Sequence, residues 1–292
     1  MNPSIDTFKI EQSGLSAQSV DDVLGQLSRF CAASHGPALT LDLSGLGFVD
    51  PYGMALLCLV GRKLSQQFWD IDCLLPENPD IESYLTRMGV FAFLKEGVSL
   101  SRAPEMGRSP VENESLIEVC EISARADVET ALTLVESRVG SILERELSYS
   151  VKEITWFKNV IAELCHNIID HSGDRGYLAA QRYTNHKLGK KFAMIAVCDL
   201  GIGIRESLAT RYDVSEWSHG KAITNAVKKT FSRDTARGLG LYVVRTICDD
   251  CGGSLHIRSG DSRVYFRGNK SRVYGSGDFP GSQVSITLYE RT

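Results

Sequence analysis

No apolar run in this chain approaches the roughly 20 residues that cross a bilayer, which excludes a helical membrane span. The opening residues Met1-Asn-Pro-Ser-Ile-Asp6 lack the basic and apolar regions of a signal peptide, so a cytoplasmic protein is expected. There is no basic excess either. Lys and Arg number 32 against 36 Asp and Glu, and the formal net charge of -4 leaves no global field to hold nucleic acid or an anionic membrane. Paired cysteines are also missing. Cys31, Cys58, Cys73, Cys120, Cys165 and Cys198 each sit singly in apolar surroundings and read as small buried hydrophobes of a reducing compartment. Cys248-Asp-Asp-Cys251 is a lone C-x-x-C with no second pair or spaced histidines nearby, so it reads as part of a helix end and not as a zinc or redox site. No internal repeat or low-complexity segment is visible.

The 43% hydrophobic and 23% charged residues are those of a globular protein, and 292 residues suit two domains at roughly 100 to 200 residues each. Residues 5 to 12 alternate as a strand, and Gln18 to Ala33 carries Val20, Val23, Leu24, Leu27 and Phe30 at helical spacing. A strand over Ala38 to Ser44, a helix over Tyr52 to Phe68, a strand over Asp72 to Leu75 and a short helix over Ile81 to Met88 follow. Strands alternating with helices predict an α/β arrangement for residues 1–100. Ser99 to Ser115 loses apolar periodicity and collects Pro104, Gly107 and Pro110, which places a junction at residues 101–124 that ends in a strand over Ser115 to Ile122. A second domain over residues 125–292 opens with an amphipathic helix from Val128 to Leu147, with Asp127 as its expected N-cap.

The chemistry gathers in that second half. Glu163, Asn167 and His171 are successive i, i+4 neighbours in one polar row, beside an apolar stripe of Val160, Ile161, Leu164 and Ile168, on a helix expected from Glu153 to His171. On this segment alone, a solvated polar face explains the row as well as a site does. Strands over Tyr177 to Tyr183 and Phe192 to Asp199 follow, the second ending in Asp199-Leu-Gly201-Ile-Gly203-Ile204. Further on, Arg237-Gly238-Leu239-Gly240-Leu241 is a glycine turn feeding an apolar helix, where free N–H groups could meet an anion. Each glycine motif alone is equally well a tight turn.

Two resemblances follow from these motifs. Leu41-Asp-Leu-Ser-Gly-Leu-Gly-Phe-Val-Asp50-Pro51-Tyr52-Gly53 resembles the STAS domain of anti-sigma-factor antagonists over about residues 5 to 100. That family commonly has Asp-Ser-Ser-Gly at this turn, its second serine accepting phosphate from a kinase. Here Tyr52 stands at the acceptor position, so the resemblance implies a degenerate STAS-like domain kept as a docking or scaffold unit, with Tyr52 at a degenerate phosphoacceptor position.

The ordered series Glu163 and Asn167, Asp199-x-Gly-x-Gly203, and Arg237-Gly-x-Gly-Leu241 resembles the N, G1 and G2 boxes of the GHKL ATPases, over about residues 125 to 290. Gly281-Ser282-Gln-Val-Ser-Ile-Thr-Leu288 resembles their final strand, with Ser282 in the usual threonine position. The resemblance implies a Bergerat-fold α/β sandwich holding ATP and Mg2+. By the same implication, Asp199 accepts from the adenine amino group, Gly203 lets the backbone pass close to the base or ribose, Gly201 belongs to the same ATP-binding set, and Asn167 offers its amide oxygen to Mg2+. Arg237, Gly238, Leu239, Gly240 and Ser282 line the nucleotide, His171 lies one turn along from Asn167, and Glu163 polarises the nucleophile that attacks the γ-phosphate. Residues 205 to 236, with a helix expected from His219 to Lys229, would form a mobile lid carrying Arg233.

Glu163 beside Asn167, with His171 one turn on, looks most like the anti-sigma-factor kinase branch and the related short sensor-kinase branch. No histidine occurs from Glu129 to Val151, which speaks against a self-phosphorylating histidine kinase. The leading expectation is an ATP- and Mg2+-binding regulator that phosphorylates or sequesters a protein partner, STAS-like or sigma-factor-like, with a homodimer left open. The alternative is a non-kinase ATP switch with slow hydrolysis or none.

Overall fold

A computed structural model describes residues 5–34, 36–105, 116–171, 174–228 and 240–291. The N-terminal unit comprises β1 (Asp6–Lys9), β2 (Gly14–Leu15), α1 (Val20–Ala33), β3 (Ala38–Asp42), β4 (Phe48–Val49), α2 (Pro51–Ser65), β5 (Asp70–Leu74), α3 (Pro79–Arg87), α4 (Val90–Leu94) and β6 (Ser99–Leu100). Its main sheet is parallel with order β1-β3-β5-β6, and β2 and β4 form a small parallel pair. The alternation read from sequence is therefore present, with helix α4 and the short strands β2, β4 and β6 added.

Helix α2 starts where its residues dictate. Asp50 is an extended N-cap whose Oδ1 accepts from Gly53 N–H at 2.8 Å, and Pro51 fills the first turn, where no N–H is needed. Burial pushes the Asp50 carboxyl up to about 6, against the pull of those N–H groups. Position 53 has to be glycine because a Cβ there would begin 2.6 Å from the Leu15 carbonyl oxygen. Nearly every α2 residue from Pro51 to Gly61 is buried, so the helix is covered on all sides and cannot be a surface element of a free domain.

What covers it is the second unit: β7 (Leu116–Ile122), α5 (Arg125–Leu134), α6 (Val151–His171), β8 (Gly176–Asn185), β9 (Lys190–Asp199), α7 (Gly203–Ala209), α8 (His219–Ala226), α9 (Gly240–Asp250), β10 (Ser254–Arg267) and β11 (Lys270–Tyr289). Its sheet is antiparallel with order β10-β11-β9-β8-β7. The side chains of Leu178, Ile195, Val197, Ile257 and Ile286 join Ile161, Leu164 and Val244 in a core on the helix side. Their alternate neighbours Tyr177, Ala179, Ala196 and Cys198 join Tyr52, Leu57 and Cys58 in the core of the N-terminal unit. Both faces of the central strands are thus buried, which is why residues 193–198 read as an unbroken apolar run.

Polar ties surround this contact. Arg62 donates to Asp174 from Nη2 at 2.9 Å, Gln66 Nε2 donates to the same carboxylate at 3.0 Å, and Tyr84 hydrogen-bonds Gln181. Arg175 pairs with Glu96 and, at 2.8 Å, with Glu121. The two glycines Gly25 of α1 and Gly277 of β11 touch backbone to backbone, since a Cβ on residue 277 would begin 2.4 Å from the Gly25 Cα.

Two expectations are corrected. The helix from Val128 to Leu147 begins earlier, at Arg125, and its later turns, Val135–Val139 and Ile142–Glu146, are π-helical. Asp127 is accordingly not the N-cap but lies inside the first turn, its Oδ2 accepting from the N–H groups of Ser123 and Ala124 at 2.9 and 2.8 Å.

Tyr52, proposed from sequence at an acceptor position, is fully buried between α2 and β10, with its ring edge-on to His256 at 5.6 Å. Its hydroxyl has no hydrogen-bond partner among the described residues, and burial raises its pKa well above the usual phenol value. Phosphorylation there would require the two units to separate. Because the hydroxyl is buried and unpartnered, Tyr52→Phe is expected to leave stability unchanged within about 0.5 kcal/mol or to raise it. Thermal unfolding checks this, and a melting temperature several degrees lower would mean that the hydroxyl holds a bond.

Candidate nucleotide site

The carboxylate of Asp199 ends β9 and turns back on its own loop. Oδ1 accepts from Gly201 N–H at 2.6 Å and from Ser282 N–H at 3.3 Å, and Oδ2 receives no hydrogen bond among the described residues. Burial dominates those two N–H groups and pushes this carboxyl up to about 6. One oxygen is thereby fixed and the other presented.

Glycines let the backbone close around it. At Gly281, φ is +82° and a Cβ would begin 2.0 Å from the Asp199 carbonyl oxygen, so only glycine fits. Gly203, also at φ +82°, begins α7 and lies over Ser259, whose buried hydroxyl accepts from Ile204 N–H and donates to Gly281 O, both at 2.9 Å. Ser259 thus pins the turn after Asp199 to the middle of the last strand, β11.

The second group lies on α6 and α9. Glu163 is half-buried and Asn167, one turn on, is exposed, as the i, i+4 row predicts. Gly240 opens α9 directly against Glu163: a Cβ on residue 240 would begin 2.7 Å from Oε2. The glutamate carboxylate therefore sits at a helix N-terminus, where free N–H groups favour negative charge. Helix α6 packs on both α9 and β9, so the helix that carries Glu163 and Asn167 lies against the strand that ends at Asp199.

Of the residues singled out by sequence, Asp199, Gly201, Gly203 and Ser282 come together, and so do Glu163 and Gly240, with Asn167 on the same face as Glu163. His171 is the last residue of α6, and its side chain lies outside the described residues. Arg233, Arg237, Gly238 and Leu239 lie outside them too. The helix expected from His219 to Lys229 is found as α8, from His219 to Ala226, with Ser218 as its N-cap. Arg205 fastens the segment before it, donating to Trp217 O at 2.7 Å and Val214 O at 3.1 Å.

Sequence reasoning passed over Ser259 and Gln283. Gln283 is fully buried, and its Nε2 donates to the Asp199 carbonyl at 2.8 Å. A signal existed: His256, Arg258, Gln283 and Ser285 put polar groups on alternate positions of strands otherwise apolar, which marks a buried face with a polar partner.

Residues 152–290 match the sequence model of the family described as Histidine kinase-, DNA gyrase B-, and HSP90-like ATPase. The match supports a GHKL ATPase domain over this segment. The match begins at the second residue of α6 and ends one residue past β11, so it takes in every site residue from Glu163 to Ser282. No curated protein matches the chain. No helix among the described residues is long and apolar enough to cross a membrane. Within the ATPase domain the N-terminal unit covers the sheet face opposite α6 and α9, leaving the Glu163 and Asp199 groups on the other side.

Proposed function

We propose that this chain binds ATP with Mg2+ and transfers the γ-phosphoryl group to a hydroxyl of a protein partner, as a serine/threonine kinase of the anti-sigma-factor type fused to a degenerate STAS-like unit. The observation that carries the reading is Asp199, with one carboxylate oxygen tied down by two backbone N–H groups and the other left as an acceptor. An acceptor there pairs with the amino group of adenine and opposes the carbonyl of guanine. Asn167 is an exposed oxygen donor one turn from Glu163 and fits a hard cation. Among the described residues no cluster of three or more His, Cys, Asp or Glu side chains could hold a metal, so Mg2+ would draw most of its ligands from phosphate oxygens and water.

In the transfer itself the partner's hydroxyl oxygen attacks the γ-phosphorus and the bond to the β,γ-bridging oxygen breaks. ADP leaves, and the hydroxyl proton passes to the Glu163 carboxylate. A parallel α/β unit with Asp50-Pro51-Tyr52-Gly53 at the start of α2 supports the STAS likeness, while the burial of Tyr52 favours a scaffold role over a phospho-switch. A second reading, an ATP-driven conformational switch, is favoured by the polar ties between the units.

The two separate in one assay. The chain is incubated with γ-labelled ATP, Mg2+ and purified STAS-domain proteins. Label on a partner protein is the expected result. Label released only as inorganic phosphate would replace the kinase reading with the switch.

A further inference from the structure

A buried polar chain runs from the N-terminal unit to the backbone carbonyl of Asp199, the residue whose carboxylate marks the nucleotide site. Asp21, on the first turn of α1, forms an ion pair with Arg258 Nε at 3.4 Å and with Arg263 Nη1 at 2.5 Å. Arg258 is completely buried; its Nη1 donates to Gln283 Oε1 at 3.1 Å and to Phe279 O at 3.3 Å, and its Nη2 donates to Gly277 O. Gln283 Nε2 then donates to Asp199 O and to Pro280 O, both at 2.8 Å.

The chemistry of this chain is directional. Gln283 must turn its amide oxygen to the guanidinium and its NH2 to the two carbonyls; a flipped amide would oppose donor to donor at one end and acceptor to acceptor at the other. Its orientation is therefore set jointly by Arg258 and by the two carbonyls. A guanidinium stripped of water is costly unless a carboxylate compensates it. Asp21 is the ion-pair partner of Arg258 among the described residues, and it belongs to the other unit. The glycine contact between Gly25 and Gly277 brings α1 close enough to β11 for Asp21 to reach. Neither oxygen of Asp21 nor Arg258 Nε makes an aligned hydrogen bond, so the pair is held by charge and by docking of the helix.

We infer that Gln283 and Arg258 are positioning residues for Asp199, through which docking of α1 by way of Asp21 raises the affinity of the site for adenine nucleotide. This rests on the ATP-binding reading. When α1 withdraws, Arg258 loses its carboxylate and turns toward water, Gln283 loses its orienting donor, and the backbone under the Asp199 carboxylate is released. By linkage, nucleotide tightens the docking of α1 to the same degree.

The test uses the full chain with ATP and Mg2+. Hydrogen exchange of the wild type, which needs no variant, should show slower exchange of amides 20–33 when ATP is bound. Asp21→Asn should weaken ATP binding about 5-fold or more. Asp22→Asn, the same charge removed from the exposed neighbour on the same helix, should stay within about 2-fold. In a Gln283→Met background the Asp21→Asn effect should disappear, because the chain is already cut. If wild type binds ATP while amides 20–33 are unaffected, if the two aspartate variants behave alike, or if the Asp21→Asn and Gln283→Met effects simply add, the inference is overturned and the ATP site stands. Absence of ATP binding by wild type would remove both.

Discussion

Asp199→Asn is expected to weaken ATP binding by about 10- to 100-fold, the equivalent of the roughly 1–3 kcal/mol lost when a buried donor faces no acceptor. The reason lies in how the carboxylate is held. Oδ1 is already committed to Gly201 and Ser282 N–H, so an asparagine keeps its oxygen there and turns its NH2 toward the base, donor against donor. A rotated amide would restore the acceptor but set NH2 against two N–H groups, which loses as much.

The same residue sets a pH dependence. With its carboxyl pushed up to about 6, Asp199 is protonated in the empty site below that value. Adenine needs the ionised acceptor, so binding competes with the proton. Affinity should fall as pH drops through about 6, approaching tenfold per pH unit below it. Subtracting the profile of Asp199→Asn cancels titration of the nucleotide phosphates. Parallel profiles for the two proteins would mean that Asp199 does not titrate in the binding range or does not meet the base.

Glu163→Ala is expected to leave ATP binding within a few-fold of wild type and to cut phosphoryl transfer or hydrolysis by about 100- to 10,000-fold, the range of a positioned general base. Glu163 faces Gly240 at the start of α9, where the ligand phosphates are proposed to lie. Removing its charge there relieves like-charge repulsion with phosphate, which is why binding should persist. Glu163→Gln, which preserves the packing against Gly240, separates charge from shape: it should be as slow as the alanine variant. Wild-type turnover in either variant would mean that Glu163 is not the base.

Much of this was legible before any coordinates. Period-2 and period-3.6 patterns placed α1, α2, β8 and β9 to within a few residues, because each buries an apolar face that its sequence must advertise. The order of Glu163, Asn167, Asp199, Gly203 and Gly240 marked the candidate site, because close backbone approach needs glycine and the proposed base recognition needs a carboxylate. The long hairpin of β10 and β11 was only half legible. Its residues 256, 258, 283 and 285 are polar where a strand with two buried faces should be apolar, and only the partner across the interface explains them. Docking of the units was invisible for a related reason. The aspartates, arginines and glycines that join them look, one at a time, like solvated surface or tight turns. Even α2, with little polar surface of its own, reads the same whether it is covered by its own domain or by another.

The central claim is that residues 152–290, with the N-terminal unit docked behind their sheet, hold Mg-ATP through Asp199 and Asn167. Calorimetric titration of the full chain with ATP and with GTP, each with and without Mg2+, tests it most directly. The account predicts saturable ATP binding that strengthens with Mg2+ and is at least tenfold weaker for GTP, since guanine presents an oxygen to the Asp199 carboxylate. No heat of binding at millimolar ATP, or equal affinity for the two nucleotides, would contradict it.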